Sequence, residues 1–372
     1  MIPVYKPYLP KHAMSFAHDV IDSGWLTIGK YNQMVNDFLQ EYLGVKHCFL
    51  VGNGTLATHL VSKGLSFKFP TITNLIVPEN VYVAAHNCFL FDKKLKLHVI
   101  DSDLQTWNYD YSCLDTTAKN LENFAVLAVH NLGNAVDIQK LKNTYGVPVV
   151  EDACESFFGK YNGKFCATDS LVSSLSFFGN KNVTSGEGGA VLTNDTDLYN
   201  YLKKLSCQGQ TRHRYIHDEL AYNYRMTDVC AALLYGQLKC IDEIKERKEI
   251  VWERYKKAFK NRKDILIQKE EDGCESSKWM FGICFPNSFG YSKKESFFNS
   301  RGIEIRPMFY PMITHAHLND NELVDLVSEK QEAGSNAKFL SKTVIMLPSY
   351  PELTEEEQNY IINCVYEFAE EK

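Results

Sequence analysis

The chain has 372 residues, 45% hydrophobic and 23% charged, enough apolar material for a sizeable buried core. A net charge of −6 and a pI near 6.0 exclude the global basic field that holds nucleic acid or an anionic membrane. No run of roughly 18 apolar residues is present to span a bilayer. Residues 1–10 lack the apolar segment of a secretory leader, and the 11 cysteines are scattered, odd in number and without a Cys-x-x-Cys pair. A cytoplasmic protein with free thiols, no membrane or nucleic-acid partner and no metal is expected.

From about residue 46 to 195 short apolar runs alternate with helical patterns. Lys46–Val51 reads as a strand, and Thr55–Leu65 as a helix with Leu56, Leu60 and Val61 on one face. Asn74–Pro78 reads as a strand, Asn80–Phe91 as a helix and Leu95–Ile100 as a strand, with Phe124–His130 and Val147–Glu151 as two more. Leu171–Phe178 follows, and after Gly186-Glu-Gly-Gly189 the chain resumes as a strand. This alternation predicts an α/β fold with a mostly parallel sheet buried on both faces by helices. Beyond residue 245 the predicted elements are a charged helix over Lys248–Lys263, a strand over Lys278–Phe285 and a helix over Lys293–Arg301. Thr354-Glu-Glu-Glu357 has the form of a capping box, with Ile361, Val365 and Phe368 following at helical spacing. The expected organisation is a large domain over 1–245 and a smaller α+β domain over 246–372.

Ligands of such sheets gather outside the carboxyl ends of the strands, and these ends carry the informative residues. Gly52-Asn-Gly-Thr55 opens a helix whose first N–H groups can receive an anion, although a plain strand-to-helix turn has the same composition. It matches neither Gly-x-x-x-x-Gly-Lys-Ser/Thr nor Gly-x-Gly-x-x-Gly. Asp152 ends an apolar strand, where a carboxylate needs a cation, a metal or donors, or else caps the next helix. Lys181 follows the next strand, five residues after Ser176. A phosphate cradle, an anion for a pyridinium nitrogen and an amine able to form a Schiff base are together the needs of pyridoxal 5'-phosphate. His86, His130, Asp137 and the cysteines offer a metal-hydrolase alternative, but no His-Glu-x-x-His or paired cysteine spacing supports it.

Seven motifs in order carry a resemblance: Gly24-Trp-Leu-Thr-Ile-Gly29, Gly52-Asn-Gly-Thr55, Val150-Glu-Asp-Ala-Cys-Glu-Ser156, Ser176-Phe-Phe-Gly-Asn-Lys181, Gly186-Glu-Gly-Gly189, Tyr222-Asn-Tyr-Arg-Met-Thr227 and Arg306-Pro-Met-Phe-Tyr-Pro311. Across nearly its whole length the chain resembles the DegT/DnrJ/EryC1/StrS family of pyridoxal-phosphate sugar aminotransferases, which have the fold-type-I architecture. The resemblance implies that Lys181 bonds to the cofactor aldehyde and later shuttles the proton, and that Asp152 pairs with the pyridine nitrogen. Ser176, Gly54 and Thr55 are implied at the phosphate, and Tyr82 on the face of the ring. Asn223 is implied to reach the phosphate of a neighbouring subunit, which makes the protein a homodimer with sites completed across a two-fold interface. Glu155 and Ser156 follow the Asp as in the family, without an assigned contact. Two departures concern loop shape: His130-Asn-Leu-Gly133 replaces the family's His-Leu-Tyr-Gly, and Cys166-Ala-Thr-Asp169 lacks a glycine common there. Relatives that carry histidine in place of the lysine catalyse 3-dehydration, so Lys181 implies transamination.

The implied substrates are L-glutamate as amino donor and a nucleotide-linked keto sugar as acceptor. The lysine loop and the opening Ile-Pro-Val-Tyr-Lys-Pro of residues 2–7 are similar to those of 4-aminotransferases of the GDP-perosamine synthase type. The favoured acceptor is therefore the GDP-linked 4-keto-6-deoxyhexose. The UDP- or dTDP-linked sugar that gives a viosamine nucleotide, or a 3-keto sugar, is the alternative. Arg306 and His315 are candidate contacts to sugar or diphosphate, with an exposed loop cation and a surface histidine as the other reading.

Overall fold

The structure, a computed structural model, describes residues 1–288, 290–319, 321–327 and 335–370. Eight strands form the main sheet in the order His47–Val51, Gly189–Thr193, Ser173–Ser176, Val149–Asp152, Phe124–Val129, Asn74–Pro78, Lys96–Ile100 and Val324–Leu326. Seven run parallel, and Gly189–Thr193 alone opposes its two neighbours. The α/β class read from the sequence is thus observed, and its cause is visible in the strands. Val149–Asp152 and Ser173–Ser176 are buried at every position, as a sheet covered on both faces requires.

One apolar layer, including Leu60, Leu65, Val77, Leu97 and Leu127, lies beneath the helix Gly54–Lys68. The other face is covered by Tyr31, Val35 and Leu39 of the helix Lys30–Leu43 and by Ala231 and Leu234 of the helix Asp228–Leu238. The helix Lys11–Ser23 packs on the same partner, so close that a Cβ on Gly236 would sit 2.3 Å from that of Ala13. None of these three helices was among the predicted elements. Asp228–Leu238 has no polar stripe because both its sides are covered, so it lacks the amphipathic signature that reveals surface helices.

A second, antiparallel sheet runs in the order Leu266–Ile267, Phe281–Cys284, Val344–Leu347 and Arg306–Pro307. Trp252, Tyr255, Phe281, Phe298 and Phe368 fill its own core against the helices Ile241–Phe259, Tyr291–Ser300 and Glu355–Glu370. The capping box is present as read: Glu357 N–H donates to Thr354 Oγ1 at 3.1 Å, and Glu357 Oε2 accepts the Thr354 N–H at 3.0 Å. The chain beyond residue 245 also returns to the main sheet, since Val324–Leu326 pairs with Lys96–Ile100.

Several boundaries differ from the sequence reading by a few residues, three of them for identifiable physical reasons. The helix predicted from Asn80 begins at Ala84, because Asn80 spends its side-chain N–H groups on the carbonyls of Phe309 and Ala337. The charged helix begins at Ile241 and not at Lys248, since Ile244 already extends its buried face. The strand predicted from Lys278 begins at Phe281, because Lys278 holds a positive φ of 55° that breaks the extended run.

Candidate active site

The carboxyl edge of the main sheet opens on a cavity of about 580 Å³. Gly54, Thr55, Tyr82, Asp152, Ser176, Lys181, Arg306 and His315 all line it, so residues as much as 261 positions apart (315 − 54) converge there. Asn223 does not line this cavity. It lies exposed in an edge segment where it bridges Cys207, and its side chain accepts the Arg225 N–H at 3.1 Å.

Each position follows from its element. His47–Val51 delivers the chain to Asn53, whose side chain caps the next helix by accepting the Leu56 N–H at 2.9 Å. The N–H groups of Gly54 and Thr55 then open a 15-residue helix, with no carbonyl four residues back to bond. Gly54 is needed for closeness: a Cβ there would stand 2.8 Å from the Cβ of Ser176 and 2.9 Å from its Oγ. A hydroxyl and a helix N-terminus thus meet at one point, a ready cradle for a phosphate.

The strand Val149–Asp152 sends successive side chains to opposite faces. Glu151 points away from the cavity, where its Oε1 accepts His130 Nε2–H at 2.9 Å and the Ala167 N–H at 2.9 Å. Asp152 consequently faces the cavity, 7% exposed. Its Oδ1 accepts the Cys154 N–H at 3.0 Å, and Thr58 Oγ1 stands 3.5 Å from Oδ2. Among the described residues Asp152 forms no ion pair, which leaves this buried carboxylate able to take a cationic partner on its cavity side.

Lys181 reaches the same cavity from the loop after Ser173–Ser176, its Nζ 3.9 Å from the centre of the Trp279 ring. Glu155 lies beside it, 8% exposed, with Oε2 accepting the Leu132 N–H at 2.9 Å. Burial raises the Glu155 carboxyl to about 7, although the positive charge of Lys181 and the Leu132 N–H both oppose the rise. Cys154 also borders the cavity, and burial pushes its thiol well above the ordinary range, which keeps it neutral. Glu187, Tyr310 and Trp279 also line the cavity without having been singled out in the sequence. The glutamate of the Gly186–Gly189 run and the tyrosine of the Arg306–Pro311 run were inside quoted motifs. Trp279 had no local signal.

Other sequence candidates are engaged elsewhere. His86 Nε2–H donates to the Pro78 carbonyl at 2.8 Å, and burial lowers its imidazole to about 4. Asp137 caps the helix Ile138–Tyr145 by accepting the Lys140 N–H at 2.9 Å. His130 takes the Val136 N–H on Nδ1 at 2.9 Å while Nε2 serves Glu151.

The helix start beside Ser176, the carboxylate and the amine fit pyridoxal phosphate, and the family match makes the chain a pyridoxal-phosphate-dependent sugar aminotransferase. The chain belongs to the DegT/DnrJ/EryC1/StrS aminotransferase family, whose profile matches residues 8–366. It is 33% identical over 376 residues to the GDP-perosamine synthase of Escherichia coli O157:H7, covering 100% of this chain and 99% of that one. The GDP-perosamine synthase of Vibrio cholerae is 34% identical, with 98% of each chain covered. Among solved structures, E. coli GDP-4-keto-6-deoxy-D-mannose-3-dehydratase with bound hydrated PLP superposes with a TM-score of 0.88 at 22% identity, covering 98% of this chain and 99% of that one. No helix among the described residues is long and apolar enough to cross a membrane.

Proposed function

We propose that this aminotransferase moves the amino group of L-glutamate to C4 of GDP-4-keto-6-deoxymannose, forming GDP-perosamine and 2-oxoglutarate. The end-to-end likeness to two GDP-perosamine synthases carries the choice of acceptor. The convergence of Lys181, Asp152, Ser176 and Gly54 on one cavity supports the chemistry. Residues 1–245 form the cofactor-binding domain in this reading, and 246–372 a smaller domain that supplies Trp279, Arg306 and His315 to the same cavity.

Pyridoxal phosphate, when bound, supplies the aldehyde that carries the amino group between substrates and a ring that withdraws electrons from the reacting carbon. Gly54 and Thr55 N–H groups and Ser176 Oγ would hold its phosphate, and Tyr82 would lie against its ring. Asp152 would favour a protonated ring nitrogen by offering a buried negative charge. Lys181 Nζ takes the proton from Cα of glutamate and later delivers one to C4 of the sugar. Arg306 and His315 face the remaining space, where Arg306 suits a diphosphate better than a lysine would because its fork can engage two oxygens.

The test is product analysis by mass spectrometry with L-glutamate and, in separate reactions, the GDP-, dTDP- and UDP-linked 4-keto-6-deoxy sugars. The expected result is a new amine from the GDP sugar at a kcat/KM at least about tenfold above the others, equivalent to about 1.4 kcal/mol of discrimination. An amine from a dTDP or UDP sugar alone would replace perosamine by a viosamine nucleotide. Product from a 3-keto sugar only would move the reaction from C4 to C3.

The same reading makes the protein a homodimer in which Asn223 serves the partner's cavity. Asn223 lies in an exposed segment whose apolar side chains include Leu220 at 97% and Tyr222 at 69% exposure, with Trp25 at 67% on the segment that bridges through Thr27 to Thr227. Exposed apolar groups brought together in this way support a subunit interface there. Mixing Lys181→Ala with Asn223→Ala subunits is expected to restore up to about one quarter of wild-type activity, since half of the random dimers are mixed and each has one intact site of two. Restoration absent from a confirmed mixed dimer would remove Asn223 from the partner's site.

A further inference from the structure

Trp279 stands where the predicted strand fails to form. Lys278, with φ of 55°, breaks the extended backbone, and the next side chain lines the cavity. The indole is 4% exposed and fixed at both ends of the residue. Its Nε1–H donates to the Asn180 carbonyl at 2.8 Å, and its own carbonyl accepts from the buried Lys248 Nζ–H at 2.8 Å. Two further bonds stitch the same seam: Asn182 Nδ2–H donates to the Ser277 carbonyl at 2.7 Å, and the Tyr5 hydroxyl donates to the Lys181 carbonyl at 2.8 Å. Above this platform sits Lys181, with Nζ 3.9 Å from the ring centre. Tryptophan offers the most negative ring face of the aromatic side chains, so the ring draws the Lys181 nitrogen onto that face.

We propose that Trp279 is a positioning residue for Lys181: its ring face holds the amine at the cavity wall, and its N–H fixes the backbone of the loop that carries it. The proposal rests on Lys181 being the reacting amine of the transfer. Lys181 lies on a loop and its long side chain has several rotamers. A flat, rigid surface under the nitrogen limits those rotamers, and a misplacement of about 1 Å at a reacting group can cost about a hundredfold in rate. Phenylalanine at 279 would retain a ring and lose the N–H. Leucine would retain neither.

The test compares wild type, Trp279→Phe and Trp279→Leu, each as cofactor-free and as loaded protein. In the cofactor-free form, acetylation of Lys181 at limiting acetic anhydride is read by peptide mass spectrometry against exposed Lys11. The ring face against the nitrogen shields it from the reagent, so Trp279→Leu is expected to label about three- to tenfold faster, with Trp279→Phe between it and wild type. Indole emission adds a readout insensitive to reagent access: Lys181→Met is expected to change the emission of cofactor-free protein in the Trp279 background and to leave it unchanged beside Trp279→Phe. In the loaded enzyme kcat of Trp279→Leu falls about ten- to a hundredfold with KM within about twofold, and Trp279→Phe recovers most of the loss.

Labelling and kcat of a stably folded Trp279→Leu within about twofold of wild type would overturn the proposal, as would emission indifferent to Lys181→Met. If Trp279→Leu does not fold, Trp279→Phe and the emission comparison decide. Failure of wild type to take up pyridoxal phosphate or to form any amine would sink the transfer reading instead, and the two cofactor-free measurements would still judge the contact.

Discussion

Lys181→Ala is expected to lower the rate of amine transfer by about four orders of magnitude, the upper end of what a positioned acid–base group supplies. The size follows from the absence of a substitute. Lys181 is the one lysine among the described residues that line the cavity, and both proton transfers at carbon need an amine at that place. His315 borders the same space, but burial and the neighbouring His317 lower its imidazole, and it cannot bond covalently to the aldehyde as an amine does. Truncation should leave the fold intact, since the side chain is half-buried at a cavity wall and forms no ion pair among the described residues. Single-turnover product formation, followed by mass spectrometry alongside thermal unfolding, separates these effects. A variant that keeps more than about a tenth of the wild-type rate would remove Lys181 from the chemistry.

Asp152→Asn is expected to move stability and activity in opposite directions. In the cofactor-free protein the carboxylate is buried, accepts the Cys154 N–H and forms no ion pair among the described residues. An amide keeps the shape and that hydrogen bond while removing a costly charge, so the cofactor-free form should gain about 1 kcal/mol, read by denaturant unfolding. In the loaded enzyme the same change removes the anion that stabilises a protonated ring nitrogen, and kcat should fall about a hundred- to a thousandfold. Equal stability and unimpaired kcat would show that Asp152 serves only to cap the turn after its strand.

These two residues were legible because their signals are local. A short apolar run that ends in a carboxylate, and another followed by a small polar loop with one lysine, can be found by reading along the chain. Parallel strands then bring their carboxyl ends to one edge without any further information. Glu155 shows the limit of that reading. It stands three residues after Asp152 in a quoted motif, yet its burial beside Lys181 and the rise of its carboxyl to about 7 depend on the Leu132 N–H and on walls from other segments. His130 likewise meant little until Glu151 was seen pointing to the far face of the sheet.

The sequence by itself determined the α/β class, the strand ends that hold Gly54, Asp152, Ser176 and Lys181, and the helix begun by Thr354. All of these follow from periodicity, capping and turn chemistry within a few residues. Only the tertiary structure decided that Val324–Leu326 returns to the edge of the main sheet, that Gly236 lets a helix come within contact of Ala13, and that Trp279 leaves its strand to lie beneath Lys181. Such features join residues about 90 to 230 positions apart, where the outcome depends on how loops close and helices pack, and no local pattern carries that information.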